Sequence, residues 1–168
     1  MTEERFRFEQ LGPQHDRRAF DCGVEALNRY LQQQASQDIR NKVATVLVMV
    51  DSASESTAGF YRLSAASVSL GSLPEEIKKR LPRYPIQPAI LLGRLAIDRR
   101  YQGQGLGELL LFNALRRSLL LSDELAAMSI LVDAKDDRAR SFYERFGFLR
   151  LVDDERRLVI PMRIIQRS

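Results

Sequence analysis

The feature that most limits what this chain can fold into is a glycine turn set between a strand and a helix. Pro88–Ile97 is an apolar run of strand character, followed by Asp98-Arg99 and the segment Arg100-Tyr101-Gln102-Gly103-Gln104-Gly105-Leu106-Gly107. Leu106, Leu109, Leu110, Ala114, Leu115 and Leu119 then recur at helical spacing. Successive backbone N–H groups in such a turn point inward, and the helix N-terminus adds partial positive charge, so the segment is suited to an anion. Gly103, Gly105 and Gly107 let a phosphate approach main chain that a Cβ would block. Gln102 and Gln104 keep the loop polar. Alone, a Gly-x-Gly-x-Gly stretch is weak evidence, because a flexible turn ahead of a helix reads the same way.

The rest of the chain supplies a sheet for this unit. Arg5–Leu11 alternates as a strand, with Phe6 and Phe8 on one side. Phe20-Asp21-Cys22-Gly23 reads as a turn with Asp21 as a helix cap. Val24, Leu27, Tyr30, Leu31, Ala35 and Ile39 predict an amphipathic helix over Val24–Ile39. Ala44–Val50 and Ala58–Leu70 read as a strand hairpin around the polar turn Asp51–Thr57. Leu73–Gln87, with three prolines and the basic residues Lys78, Lys79, Arg80 and Arg83, reads as a short helix with irregular flanks. Met128–Ala134 predicts a buried strand, and Asp136–Phe146 a helix ended by Gly147 at its C′ position. Phe148–Val152 and Leu158–Ile164 predict a closing hairpin. The fold class is therefore α/β or α+β, with helices on a mixed sheet.

The 168 residues suit a single domain, 1–168, with one core. No apolar run reaches the roughly 20 residues a membrane-spanning helix needs. The charged, alternating start Met1-Thr-Glu-Glu-Arg-Phe-Arg-Phe does not read as a signal peptide, and Cys22 is the only cysteine. A cytoplasmic protein without an internal disulfide is expected. Net charge is +4, and all 26 basic residues except Lys42, Lys78, Lys79 and Lys135 are arginine. That permits a nucleic-acid substrate without establishing one. His15 is the only histidine, so neither a Ser/His/Asp nor a Cys/His arrangement is expected, and metal-ligand spacing is absent.

Two other phosphate loops fit poorly. A P-loop needs Gly-Lys-Ser/Thr, whereas Gly107 is followed by Glu108 and Leu109. A dinucleotide fold places its glycines in a first β-α-β unit, whereas here they follow four predicted strands. Arg100-x-x-Gly103-x-Gly105 instead resembles the Arg/Gln-x-x-Gly-x-Gly/Ala motif of the GNAT acetyltransferase superfamily. Leu92-Gly93-Arg94-Leu95-Ala96-Ile97-Asp98 resembles that family's central strand, and Ala139-x-x-Phe142-Tyr143-Glu144-Arg145-Phe146-Gly147-Phe148 its last helix-to-strand segment.

The resemblance implies a central sheet splayed into a V-shaped cleft, with helices on both faces, and acetyl-CoA as donor. It implies pyrophosphate on Arg100, Gln102, Gly103, Gln104, Gly105, Leu106 and Gly107, the pantetheine arm along Leu95, Ala96 and Ile97, and Phe142 beside the cofactor. No metal is implied. Tyr143 stands where the family often carries the proton donor to the leaving thiolate. A phenol with an ordinary pKa of about 10 is protonated at neutral pH and can act as a general acid. The competing reading is a core aromatic. Helical spacing favours the catalytic one, because Phe142 and Phe146 share a face from which Tyr143 is turned away.

A narrower resemblance extends over residues 20–162. It is carried by Phe20-Asp21-Cys22-Gly23, Glu25 to Leu31, Tyr61-Arg62-Leu63-Ser64-Ala65, Arg83-Tyr84-Pro85, Leu91 to Ala96 and Leu158-Val159-Ile160-Pro161-Met162. These resemble the GNAT toxins of bacterial type II toxin–antitoxin systems. The resemblance implies acetylation of the α-amino group of aminoacyl-tRNA, a block on translation, a ribbon-helix-helix antitoxin and a homodimer. Basic residues 78–83, 99–100 and 116–117 are candidates to meet tRNA, although solvated helix surface explains each of them singly. A GNAT enzyme acting on a small amine or a protein N-terminus stays open, as does a binding module without activity. Such a small-molecule enzyme would usually bind a cationic amine with carboxylates, and the first helix offers only Glu25 and Asp38.

Overall fold

The structure, a computed structural model, describes residues 5–165. Met1–Glu4, the start of the segment read as lacking a signal peptide, lie outside the described residues. The described residues fall into two compact units: 5–64 with 93–114, and 65–92 with 115–165. The strands form a mixed seven-stranded sheet ordered β1-β2-β3-β4-β5-β7-β6.

In the first unit, β1 (Phe6–Gln10) pairs antiparallel with β2 (Thr45–Asp51), which pairs antiparallel with β3 (Ser56–Ser69) as far as Leu63. β2 is apolar from Val46 to Val50 because both of its faces are covered: Val46, Leu47, Val48 and Met49 are fully buried. Val46, Val48, Val50 and Phe60 pack with Tyr30, Leu31 and Ala35. On the opposite face β3 and β4 (Ile86–Ile97) approach closely at Gly59. A Cβ there would stand 2.9 Å from the Ala96 carbonyl oxygen and 3.4 Å from Leu110. Glycine is needed at that position for space.

The expected helix Val24–Ile39 is present but divided. α1 (Glu25–Arg29) leads into a π turn, Tyr30–Gln34, and then α2 (Ala35–Arg40). Asp21 is not its cap. The N-cap is Val24 without a side-chain bond, and Asp21 instead accepts from the Gly23 N–H and the Asn28 amide.

In the second unit, β4 pairs parallel with β5 (Ser129–Asp133) over Ala89–Leu92, and β5 pairs antiparallel with β7 (Asp154–Pro161). β6 (Leu149–Leu151) completes the hairpin with β7. α3 (Glu75–Lys78) is the short helix expected among the prolines, and it seals Val68, Leu73, Ile77, Leu131 and Val159 into a core. α4 (Leu106–Glu124) follows the glycine turn, and α5 (Asp137–Arg145) precedes β6. β7 begins earlier than its apolar pattern suggests, and the end of the predicted strand is a helical turn, α6 (Met162–Ile165). The polar stretch Asp154–Arg157 joins the ladder through backbone bonds while the side chains of Asp154, Glu155 and Arg156 stay exposed, so hydropathy does not mark it.

Candidate functional site

The glycine turn is built on a buried carboxylate. Asp98 is almost fully buried and caps the 3₁₀ turn Arg99–Tyr101 by accepting from the Arg100 N–H. It also accepts from the Arg100 Nε at 3.0 Å and from the Asp21 N–H at 2.9 Å. Burial pushes the Asp98 carboxyl upward, but the bonds from Arg100 and Asp21 outweigh it and hold the group below the ordinary carboxylate range.

The Phe20–Gly23 turn braces the same loop. The Asp21 carbonyl accepts from the Arg99 N–H at 2.8 Å, and the Gln102 amide donates to the Cys22 and Ile97 carbonyls. The Tyr101 hydroxyl donates to Asp51 at 2.8 Å, and Asp51 is itself gripped by Arg5. Arg100, Gln102 and Gln104 thus spend their side chains on shaping the loop, Gln104 with a long bond to the Arg100 carbonyl.

What remains open is backbone. Gly103 and Gly105 have φ of 81° and 75°, and a Cβ on either would meet nothing within 4 Å. Their glycine character answers no packing demand. It provides the left-handed backbone and leaves an uncovered surface for a ligand. Residues 102–105 are exposed, while Leu106 is buried and anchors the first turn of α4. The Leu109 N–H already bonds the Gly105 carbonyl at 3.4 Å, and as at any helix start the N–H groups ahead of it lack an intrahelical acceptor. Gly107 lies inside α4. Ala96 is buried, and Leu95 and Ile97 are half-buried.

Tyr143 is held by the end of its helix. Asp136 caps α5 by accepting from the Ala139 N–H. At the other end Gly147 has φ of 98°. The Phe148 N–H bonds the Tyr143 carbonyl, and the Gly147 N–H that of Glu144. This is a Schellman closure, and its characteristic apolar contact between C″ and C3 is the Phe148–Tyr143 pair, with ring centroids 5.4 Å apart.

One expectation is reversed. Tyr143 is the buried aromatic of this helix, whereas Phe142 and Phe146 are half-exposed, edge to face at 5.2 Å. Phe146 ends the helix and Phe148 turns back beneath it, so the covered face is the one that carries Tyr143. Among the described residues the phenol has no hydrogen-bond partner. Burial, with the nearby charge of Asp133 in second place, pushes its pKa up to about 12. Asp133 is paired with Arg157 at 2.7 and 2.9 Å. Together with Ser67, Ser69, Ser72, Asp153 and Asp154 these two residues line an open, polar pocket of about 370 Å³.

Other candidate chemistry is committed elsewhere. His15 bonds Glu9 and the Gly12 N–H. Asp38 accepts from Tyr30 at 2.6 Å, from Gln34 and from Arg62. Among the described residues no group of three His, Cys, Asp or Glu side chains is placed to hold a metal, and no helix is long and apolar enough to cross a membrane. Lys79, Arg80, Arg83, Arg99 and Arg116 are exposed, whereas Lys78 and Arg117 are half-buried. Sequence reasoning missed the brace from Asp21, Cys22 and Asp51, because its partners are remote in sequence and its contacts are partly main-chain.

Comparison with known proteins agrees with this geometry. Residues 76–164 match the acetyltransferase (GNAT) domain. A tRNA-acetylating toxin of Mycobacterium tuberculosis is 35% identical over 77% of this chain and 76% of its own. A probable toxin TacT of Sinorhizobium fredii is 28% identical over 94% and 92%. Among solved structures, AtaT complexed with acetyl-methionyl-tRNAfMet is similar with a TM-score of 0.89 and 31% identity, covering 96% of this chain and 98% of that one. A mutant of KacT gives 0.90 and 30%, covering 97% and 98%. An AtaT mutant toxin bound to the C-terminus of the antitoxin AtaR gives 0.81 and 30%, covering 97% of each. The matched residues 76–164 take in the glycine turn and the helix that follows it, and the chain belongs to the GNAT acetyltransferase family.

Proposed function

We propose that this protein transfers the acetyl group of acetyl-CoA to the α-amino group of aminoacyl-tRNA, and that it acts as a translation-blocking toxin neutralised by a cognate antitoxin. The bare backbone of Gly103 and Gly105 at the N-terminus of a 19-residue helix carries the donor half of this reading. In it the CoA pyrophosphate takes the turn 100–107, through the main chain of Arg100, Gln102, Gly103, Gln104, Gly105, Leu106 and Gly107. The pantetheine arm takes Leu95, Ala96 and Ile97, and Phe142 offers its half-exposed ring to the cofactor. The amine attacks the thioester carbonyl directly. As the tetrahedral intermediate collapses, the C–S bond breaks, the Tyr143 hydroxyl gives its proton to the departing thiolate, and the proton shed by the acetylated nitrogen restores the phenol through solvent. Backbone N–H groups stabilise the oxyanion. A pKa pushed up to about 12 keeps that phenol protonated at the start of every turnover.

The relatives named as toxins, and AtaT in complex with an acetylated aminoacyl-tRNA, support the acceptor half. An α-amino group titrates at about 7.7–8.0, so a useful fraction is nucleophilic without a dedicated base. Asp38, engaged by Tyr30, Gln34 and Arg62, is not left to bind a small cationic amine. The antitoxin complex of AtaT supports a protein partner. In our reading that partner is of ribbon-helix-helix type, the toxin is a cytoplasmic homodimer, and residues 1–168 act as one domain. The test is incubation with labelled acetyl-CoA and charged total tRNA. Labelled N-acetyl-aminoacyl-tRNA is expected, and label only on free amines or on protein N-termini would defeat the reading.

A further inference from the structure

Among the described residues three that are not glycine have left-handed backbone: Lys42, Glu55 and Arg94. The first two lie in turns, where such conformations are common. Arg94 lies inside β4, with φ of 56°, directly before Leu95. A strained non-glycine residue persists in a strand only where its surroundings over-determine it.

Its surroundings are aromatic. The Arg94 guanidinium lies over the Tyr30 ring, 4.3 Å from the centroid, and that of Arg62 lies 5.9 Å from the same ring. Among the described residues no carboxylate pairs with Arg94. The Tyr30 ring cannot drift, because it stacks on Phe60 and its hydroxyl donates to Asp38 at 2.6 Å while accepting from Arg62 at 2.9 Å. Gln34 fixes Asp38 from the other end of the π turn. A π turn often marks a functional position in a helix, and this one begins with Tyr30 and ends with Gln34.

We propose that Arg94 is a positioning residue for acetyl transfer. By stacking on Tyr30 it pins the left-handed step in β4 and so fixes the main chain of Leu95–Ile97 for the donor. The inference rests on reading Leu95–Ile97 as the donor strand. It assigns no substrate contact to the guanidinium. Stacking offsets the backbone strain, two effects of the same order.

The test compares Arg94→Ala, which removes the stacking and keeps the strain, with Arg94→Gly, which removes both. Arg94→Ala is expected to lower kcat about 10- to 100-fold, with the acceptor KM and the calorimetric Kd for acetyl-CoA within about threefold of wild type. Arg94→Gly is expected to return kcat to within about fivefold, because glycine adopts this backbone without strain. Equal losses in the two variants, or a loss confined to acceptor KM, would mean that the guanidinium acts on the substrate and would overturn the proposal. Wild-type kcat in Arg94→Ala would overturn it as well. Amide hydrogen exchange at Leu95–Ile97 reads the same device without any acceptor, so it separates this inference from the choice of aminoacyl-tRNA. Exchange about tenfold faster in Arg94→Ala supports the proposal, and unchanged exchange refutes it.

Discussion

The glycine turn and the tyrosine helix both depend on glycines with positive φ, but for opposite ends. At Gly103 and Gly105 nothing stands near an added Cβ, and the surrounding side chains are spent on Asp98, Cys22 and one another's backbone. The working surface there is main chain. At Gly147 the left-handed step closes a Schellman motif whose product is one placed side chain, Tyr143. A site made of backbone fails when an atom is added. A site made of one hydroxyl fails when an atom is removed.

The largest expected effect comes from that removal. Tyr143→Phe deletes the phenol oxygen and keeps the ring against Phe148, so kcat should fall about 10²- to 10⁴-fold with acetyl-CoA affinity unchanged. Steady-state transfer and calorimetry together decide the matter, and wild-type turnover would take Tyr143 out of the mechanism. Next is the addition. Gly105→Asp strains a residue with φ of 75° and places a carboxylate where phosphate should lie. Affinity for acetyl-CoA should weaken by about 100-fold, equivalent to about 2.7 kcal/mol. If affinity survives, the backbone cradle is not the donor site.

Gly147→Ala tests whether the two regions are separable. Alanine fits the space, since the nearest atom to its Cβ would be Ile160 Cδ1 at 3.7 Å, but not the φ of 98°. A cost on the order of 1–2 kcal/mol should lower Tm by about 2–8 °C and reduce kcat severalfold as Tyr143 loses its seat. Acetyl-CoA affinity should hold. A variant that loses affinity and keeps kcat would reverse the roles assigned to the two glycines.

Much of this was legible in the sequence, and what was hidden has physical reasons. The strand, turn and helix around Arg100–Gly107 announce themselves because periodicity changes across a glycine cluster. The end of α5 is legible because only Gly147 satisfies a left-handed C′ position. The π turn was not, since Tyr30, Leu31 and Ala35 keep an apolar face whether or not one residue is inserted. The step at Arg94 was not, because arginine gives no signal for a positive φ that a distant tyrosine sustains. The orientation of Tyr143 was misread from helical spacing alone, because the chain beyond Gly147 decides which face Phe148 covers.

The smallest effect concerns pH, where the two regions shift in opposite directions. The turn rests on carboxylates held below their ordinary range. Asp51 is lowered first by the bond from Arg5 and then by Tyr101, whose residue closes the 3₁₀ turn ahead of Gly103. A depressed folded pKa contributes stability that is present above the unfolded value near 3.9 and is lost as pH falls through the folded one. From pH 8 to 5, then, the scaffold under the turn should not soften, and acetyl-CoA affinity should stay flat. Below about pH 4 Tm should fall, and Asp51→Asn should reduce that fall by a few degrees. Tyr143 has its pKa raised to about 12, so it stays protonated through pH 10 and adds no alkaline limb to the rate. The rate should therefore rise only with deprotonation of the acceptor amine, near pH 7.7–8.0, and then level off. A descending limb between pH 8 and 10 that disappears in Tyr143→Phe would show that the phenol titrates in the working range, and that burial does not govern its proton.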